Sequence, residues 1–446
     1  MDDLQRRIED DRQRIVDELS TLVAIASVGY EGYDPANVRA SAEATATILR
    51  DAGLAEVRLI ELDGGHPAVF GEHRGPDGAP TVLLYAHHDV QPAADPDAWA
   101  HAPFEPVLID GRLYGRGSAD DKCGIAIHAA VIRALLADGD PPVTIKVIVE
   151  GEEECSTEHL PELVQGDADL LRADVAVVAD SGNVRTGVPT ITTSVRGATS
   201  LEVRVDVLPQ AVHSGAFGGP LPDAISALAR MIASLHTDDG EVAVDGLHAF
   251  EWTGDEVTEE AFRAETNVYP EIQLFGSGSI ADRTLSQASI NVLAFDAPRV
   301  SEVANQIVPT ATAVIGLRMA PGEDYAKARQ LVADHLRAAA PWGVRVTIDE
   351  DEPGAGYIVD TTSAAFAAVR EALTEAFDHE VIEIGSGGSI PLVPLLVETF
   401  PGIQVVMWGA ADDRSNYHSR DESVDLGEVV RMAHAEAAFL VKLSGR

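Results

Sequence analysis

Residues 150–154 read Glu-Gly-Glu-Glu-Glu and follow directly on the apolar run Val143–Val149. Such a run reads as a buried strand. Carboxylates placed where a hydrophobic strand leaves the core carry a desolvation cost unless something cationic meets them. The arrangement recurs along the chain: Thr81–Ala86 runs into His87-His88-Asp89, Ala173–Ala179 ends at Asp180, and Ile403–Trp408 precedes His418. Taken singly, each is an ordinary acidic turn or loop histidine, and Asp180 before Ser-Gly is ordinary turn chemistry. Their joint occurrence at strand ends points to a site.

Histidine and carboxylate donors suit zinc, manganese or cobalt. Five candidate ligands, His87, Asp120, Glu154, Asp180 and His418, are too many for one tetrahedral ion. Two ions sharing a carboxylate fit the count, with His87 and Asp180 on one, Glu154 and His418 on the other, and Asp120 bridging. Asp89, two residues beyond His87, is expected to fix the imidazole tautomer and raise its basicity. On a short turn Glu153 and Glu154 point differently, so one can ligate while the other accepts a proton. Glu153 is read as general base toward a two-metal-activated water and then as acid toward the leaving amine. Glu150 and Glu152 are read as supporting scaffold. The reaction class is hydrolysis of an amide. Cys123 and Cys155 are too few for a disulfide framework and form no Cys-x-x-Cys; packing and soft metal ligation both stay open for them.

Elements must bring these residues together. Helical patterns span residues 10–28 and 38–52, and a buried helix over 124–137 begins just after Asp120-Asp121-Lys122. Strongly apolar strands separated by helices suit an α/β sheet covered on both faces, and ligands of such sheets bind beyond the carboxyl ends of the strands. From about 191 the texture changes. Thr199–Val207 alternates with period two, a helical stretch runs from Asp223 to His236, and 238–270 is acidic and irregular. Strands at 289–295 and 312–318, a helix at 325–339 and a strand at 344–348 complete a strand, helix, strand, strand, helix, strand order, the ferredoxin-like pattern. The expectation is a catalytic α/β domain with a mostly parallel sheet, residues 1–190 and 354–446, interrupted by an α+β domain at 191–353. A chain of 446 residues is long enough for two cores.

A net charge of −41 argues against a nucleic-acid or anionic-membrane surface. No apolar segment has signal-peptide or bilayer-spanning length, so a soluble, cytoplasmic protein without nucleic-acid or membrane partners is expected.

At this point the chain resembles metallopeptidase family M20, which includes carnosinase-like dipeptidases, aminoacylases and carboxypeptidase G-type enzymes. The resemblance rests on Tyr85-Ala-His-His-Asp-Val-Gln-Pro92, Tyr114-Gly-Arg-Gly-Ser-Ala-Asp-Asp-Lys122, Glu150-Gly-Glu-Glu-Glu154, Val178-Ala-Asp180 and Asp412-Asp-Arg-Ser-Asn-Tyr-His-Ser419. It implies the same five ligands, with Asp89 and Glu153 as catalytic carboxylates, two divalent ions with zinc first, and a cis Asp120-Asp121 peptide. The inserted domain resembles a lid and dimerisation domain, which implies a homodimer. In it His213 would polarise the scissile carbonyl from the partner subunit, Arg318 would bind the substrate carboxylate, and Gly387-Gly388-Ser389 would offer backbone donors to the same end. Asp-Val-Gln-Pro and His-Ser-Gly look most like the dipeptidase branch. The substrate is then a dipeptide or short peptide, with an N-acyl or N-carbamoyl amino acid as alternative. The chain departs from the family at Cys123, where a glycine is usual, and at Cys155-Ser156, where Ser-Gly is. A further carboxylate-clamping histidine has no counterpart near Pro353-Gly354-Ala355.

Overall fold

The computed structural model describes residues 2–255, 257–350 and 355–445. The chain divides into two units. Met1–Thr193, Val359–Ile384 and Ile390–Arg446 form the first, and Ser194–Ile358 with the short Gly385–Ser389 stretch forms the second. The expected return of the chain at residue 354, and Pro353 and Gly354 beside it, lie outside the described residues.

Four parallel strands make the middle of the first unit's sheet, in the order Thr144–Glu150, Thr81–His87, Val175–Val178, Gln404–Met407. Each is apolar almost throughout and buried. At about 1.5–3 kcal/mol for each fully buried aliphatic side chain, this is where the unit's stability is concentrated. Register aligns their carboxyl ends: His87 lies beside Glu150, Tyr85 beside Val178, and Val178 beside Met407. Antiparallel strands extend both sides, Ala68–His73 and Glu56–Ile60 on one and Thr190–Val195 on the other. Lys122–Leu136 is buried at nearly every position and packs against Leu426–Leu443, whose capping Asp425 accepts from the Gly427 and Glu428 amides.

The amino-terminal helices differ from the expected spans. They are Asp2–Asp10, Arg12–Val23 and Pro35–Asp51. The third starts where Asp34 accepts from the Ala36 amide and Pro35 occupies the first turn, a start signal in the sequence itself.

The second unit holds a four-stranded antiparallel sheet in the order Ser289–Asp296, Thr310–Met319, Gly197–Asp206, Arg345–Glu350. With helices Ala224–Ala233 and Tyr325–Ala339 this is the expected ferredoxin-like arrangement. Alternation is strict in the central strand, where Ala311, Ala313, Ile315, Leu317 and Met319 are buried against Leu228, Met231, Val332 and Leu336. Inside the segment read as irregular, Glu259–Thr266 is helical. Thr258 caps it by accepting from Ala261, and Glu259 and Glu260 sit at its positive end. Among the described residues no helix is long and apolar enough to cross a membrane.

Candidate metal centre

The parallel register delivers His87 and the Glu150–Glu154 turn to one sheet edge, and Asp180 follows two residues after the Val175–Val178 strand. Two groups of donors form there. Single ligand atoms of His87, Glu153 and Asp180 lie within 4.8 Å of one another, and so do those of Asp120, Glu154 and His418. Asp120 joins the groups. Its Oδ1 is 3.0 Å from His87 Nε2, and its Oδ2 is 3.0 Å from His418 Nε2. His87 Nε2 is also 3.8 Å from Asp180 Oδ1, and His418 Nε2 is 3.2 Å from Glu154 Oε2. Six of the first-unit residues singled out in the sequence, His87, Asp120, Glu153, Glu154, Asp180 and His418, are therefore gathered at one place. Glu153, read as a base, stands in one donor group with His87 and Asp180.

Asp89 is fully buried and ties the two loops together. Its carboxylate accepts from the Glu153 amide at 3.2 Å and the Glu154 amide at 3.0 Å. His87 Nδ1 faces the Asp89 carbonyl at 3.1 Å and its carboxylate at 3.5 Å. The Asp120-Asp121 peptide is cis.

The electrostatics test whether these donors suit cations. Among the described residues no lysine or arginine forms an ion pair with Asp89, Asp120, Glu153, Glu154 or Asp180, although all are mostly buried. Burial works to neutralise His87, yet its bonds to Asp120, Asp180 and Asp89 hold its pKa well above the ordinary value. Burial likewise opposes charge on His418, but Asp120 and Glu154 push it up to about 10. Burial, and then the Asp180 charge, raise the Glu153 carboxyl well above the carboxylate range, and burial raises Asp180 to about 6 against the pull of His87. Burial pushes the Asp120 carboxyl up, but its bonds to His418 and His87 outweigh this and hold it below the ordinary value. Glu153 and Asp180 are thus driven to take protons while Asp120 and the imidazoles stay charged. A donor set of this kind is short of positive charge, and two divalent ions shared through Asp120 would supply it.

Several supporting residues escape sequence reasoning. Gln91 Nε2 donates to Glu154 Oε2 at 2.6 Å, and the Tyr30 hydroxyl donates to the Glu154 carbonyl at 2.6 Å. Glu422, fully buried, accepts from the Gly117, Ala119 and Asp120 amides and from Arg116 Nη1 at 2.7 Å, so it cradles the loop that presents Asp120. The same segment carries His418, whose φ of 60° is left-handed, as are those of Asn416 and Asp421. Arg116 holds the Ser419 carbonyl, and Asp421 accepts from the Ala100 amide. The signal for Glu422 was four residues after His418, but a lone glutamate there looks like any solvated acid. Glu150 and Glu152 accept from Tyr85 and from the His66 amide respectively. The Cys123 thiol donates to the Ala119 carbonyl, Cys155 is partly buried, and neither belongs to a donor group among the described residues.

The remaining predicted residues belong to the second unit. His213 is exposed and its Nδ1 accepts from the Ala216 amide at 3.2 Å, capping a four-residue helix. Arg318 Nη1 donates to Ser389 Oγ at 3.2 Å, which joins it to the Gly387-Gly388-Ser389 turn.

Comparison with known proteins identifies the family. The model of Peptidase family M20/M25/M40 matches residues 83–442. A cysteinylglycine-S-conjugate dipeptidase of Corynebacterium striatum is 35% identical over 435 residues, covering 96% of this chain and 95% of that protein. A beta-Ala-His dipeptidase of Homo sapiens is 27% identical over 408 residues, covering 85% and 78%. Among solved structures, a dipeptidase of Saccharomyces cerevisiae superposes with a TM-score of 0.88 at 22% identity, over 100% of this chain and 98% of that one. The chain belongs to Peptidase family M20/M25/M40.

Proposed function

We propose that this protein hydrolyses the peptide bond of dipeptides with two divalent metal ions. The observation that carries the proposal is Asp120, whose two carboxylate oxygens each face a different histidine at 3.0 Å. His87 and Asp180 would hold one ion, Glu154 and His418 the other, and Asp120 both. When bound, such ions supply a water that ionises near neutral pH and a Lewis acid for the scissile carbonyl. Zinc leads among the candidates, with manganese and cobalt as alternatives for the same oxygen and nitrogen donors.

The chain's own groups then do the proton work. Glu153 takes the proton of the attacking water and returns it to the leaving amine. Asp89 holds the Glu153 and Glu154 amides and the His87 ring in place, so that base and ligands keep a fixed spacing. Arg318, beside the Gly387-Gly388-Ser389 turn, takes the substrate's carboxylate, and His213 of a partner subunit polarises the carbonyl. A homodimer through the second unit is supported by its outer strand, Ser289–Asp296, which has no neighbour on one side among the described residues and exposes Val292, Leu293 and Phe295. A cytoplasmic location completes the reading.

Assay of a dipeptide panel beside N-acetyl and N-carbamoyl amino acids, after chelation and after return of zinc, manganese or cobalt, tests it. Hydrolysis of dipeptides that vanishes with chelator and returns with metal is the expected result. Turnover confined to the N-acyl or N-carbamoyl compounds would move the same site to an amidohydrolase, and turnover unaffected by chelation would end the metal reading.

A further inference from the structure

The second unit contains a pair of neighbouring arginines that no acid meets among the described residues. Arg196 is only 8% exposed. It immediately precedes the Gly197–Asp206 strand, whose register places Arg318 opposite Ala198, and Ser289 lies opposite Arg318 on the other side. Arg196 is held by uncharged acceptors alone. Its Nε donates to the Gly387 carbonyl at 3.1 Å, its Nη1 to Ser289 Oγ at 3.2 Å and, at 3.5 Å, to the Gln287 carbonyl, and its backbone amide to the Gly388 carbonyl at 3.0 Å. Arg318 has Ser389 Oγ and no carboxylate. Among the described residues no aspartate or glutamate pairs with either. Burial and then the Arg318 charge depress Arg196 to about 10, and burial lowers Arg318. A buried cation beside a half-buried one, with no counterion among the described residues, is unfavourable by desolvation and by mutual repulsion. Such a pair is stable in use when an anion from outside completes it.

We propose that Arg196 is the positioning residue of the anion site in which Arg318 presents its guanidinium to the ligand's carboxylate. Arg196 fixes the Gly387–Ser389 turn through two of its carbonyls, and Ser389 in turn holds Arg318. It also adds a second positive charge that no acid among the described residues neutralises. The turn is tight at Gly387. A Cβ at Gly387 would lie 3.2 Å from the Thr284 carbonyl and 3.4 Å from Arg196 Nη2. The inference rests on the dipeptidase reading for the identity of the ligand, and it adds a residue that the sequence motifs did not supply.

The test compares Arg196→Met and Arg196→Lys with the unaltered enzyme on a dipeptide and on its C-terminal amide. Arg196→Met is expected to raise KM for the free carboxylate at least tenfold, with most of the loss in KM rather than kcat. The loss should exceed that for the amide by at least tenfold, and Arg196→Lys should recover part of it. Equal loss on both substrates, or an unchanged KM in a variant that melts like the parent, overturns the proposal. Calorimetry with N-acetylglycine on the metal-loaded proteins separates the two claims: binding that weakens in Arg196→Met supports the anion site even if no dipeptide is hydrolysed, and binding equal in both proteins rejects it even if dipeptides are hydrolysed.

Discussion

Among the described residues, the first unit gathers carboxylates that no lysine or arginine answers, and the second places two arginines that no carboxylate answers. In a chain with 73 acidic and 32 basic residues the first imbalance is easy to assemble, whereas the second runs against the odds. Elsewhere the buried arginines are closed. Arg112 meets Asp412 through two bonds of 2.7 and 2.8 Å, and Arg116 meets Glu422 at 2.7 Å. Closed pairs are scaffold, since their charge is already answered inside the protein. Open groups of like charge carry a desolvation cost that only a ligand of opposite charge offsets. The two regions differ in sign, and each sign names its missing partner: divalent cations in one, a carboxylate in the other.

The largest effect should come from the one acid that the proposal sets to proton transfer. Glu153→Gln keeps the size and removes the base. Its kcat is expected to fall about 10³-fold, within the range of about 10²–10⁴ for general bases. Metal analysis by plasma mass spectrometry should still find two ions per chain. A variant that keeps more than a few per cent of activity would make Glu153 scaffold, like its neighbour Glu152, and would blur the division between open and closed acids. Loss of an ion would instead move Glu153 into the ligand set with His87 and Asp180.

Much of the metal centre could be read from sequence because its residues sit where hydrophobic runs stop. The runs ending at His87, Glu150 and Asp180 are strands, parallel strands share a carboxyl edge, and the edge collects whatever follows. Gln91, Tyr30 and Glu422 were not legible in this way. Each acts through a contact between segments more than sixty residues apart, and no local period marks such contacts. Arg196 was hidden for another reason. An arginine ahead of a strand looks like a surface charge until the fold shows that its neighbours are carbonyls and hydroxyls. The helix at Glu259–Thr266 was in the sequence as a capping threonine followed by two glutamates, but the surrounding acidity masked it.

Breaking a closed pair should damage the fold. Asp412 also accepts from Thr186 Oγ1 at 2.6 Å and the Arg414 amide at 3.0 Å. Burial pushes its pKa up, but Arg112 and Thr186 outweigh this and hold it below the ordinary value. Asp412→Asn leaves Arg112 charged and buried, and a loss of about 3–5 kcal/mol is expected from removal of one partner of a buried pair. The denaturation midpoint in urea measures it. Because the folded carboxyl is depressed, its contribution is present above the unfolded pKa and is lost as pH falls through the folded one. The gap between the two proteins should therefore narrow in acid.

His128 and Glu436 make a smaller closed pair with the opposite pH sign. Both are fully buried, at 2.9 Å, and His128 Nε2 also meets the Tyr85 carbonyl at 3.1 Å. Burial lowers the imidazole pKa, but the Glu436 charge and bond more than reverse this, so the folded value is raised. Stability from this group is complete below the unfolded histidine pKa and disappears as pH rises through the folded one. Thermal melts of Glu436→Gln and the parent should differ most in mild acid and converge in alkali. A gap that widens with pH would mean that the pair is not charged in the fold.

The smallest effect isolates burial from geometry. Arg39 and Glu61 form a two-bond fork, 3.0 Å from Nη1 to Oε1 and 2.6 Å from Nη2 to Oε2, with the same chemistry as Arg112 and Asp412. Their side chains, however, are 46% and 62% exposed, against 3% and 0% for the buried pair. Water can solvate either group once the other is gone, so nothing is left stranded, and exposed ion pairs contribute little. Glu61→Gln should melt within about one degree of the parent while Asp412→Asn melts well below it. If the two substitutions cost the same, hydrogen-bond geometry and not desolvation would set the value of a pair here. The arginines of the second unit would then carry no cost for standing without an acid, and nothing would make them await a carboxylate.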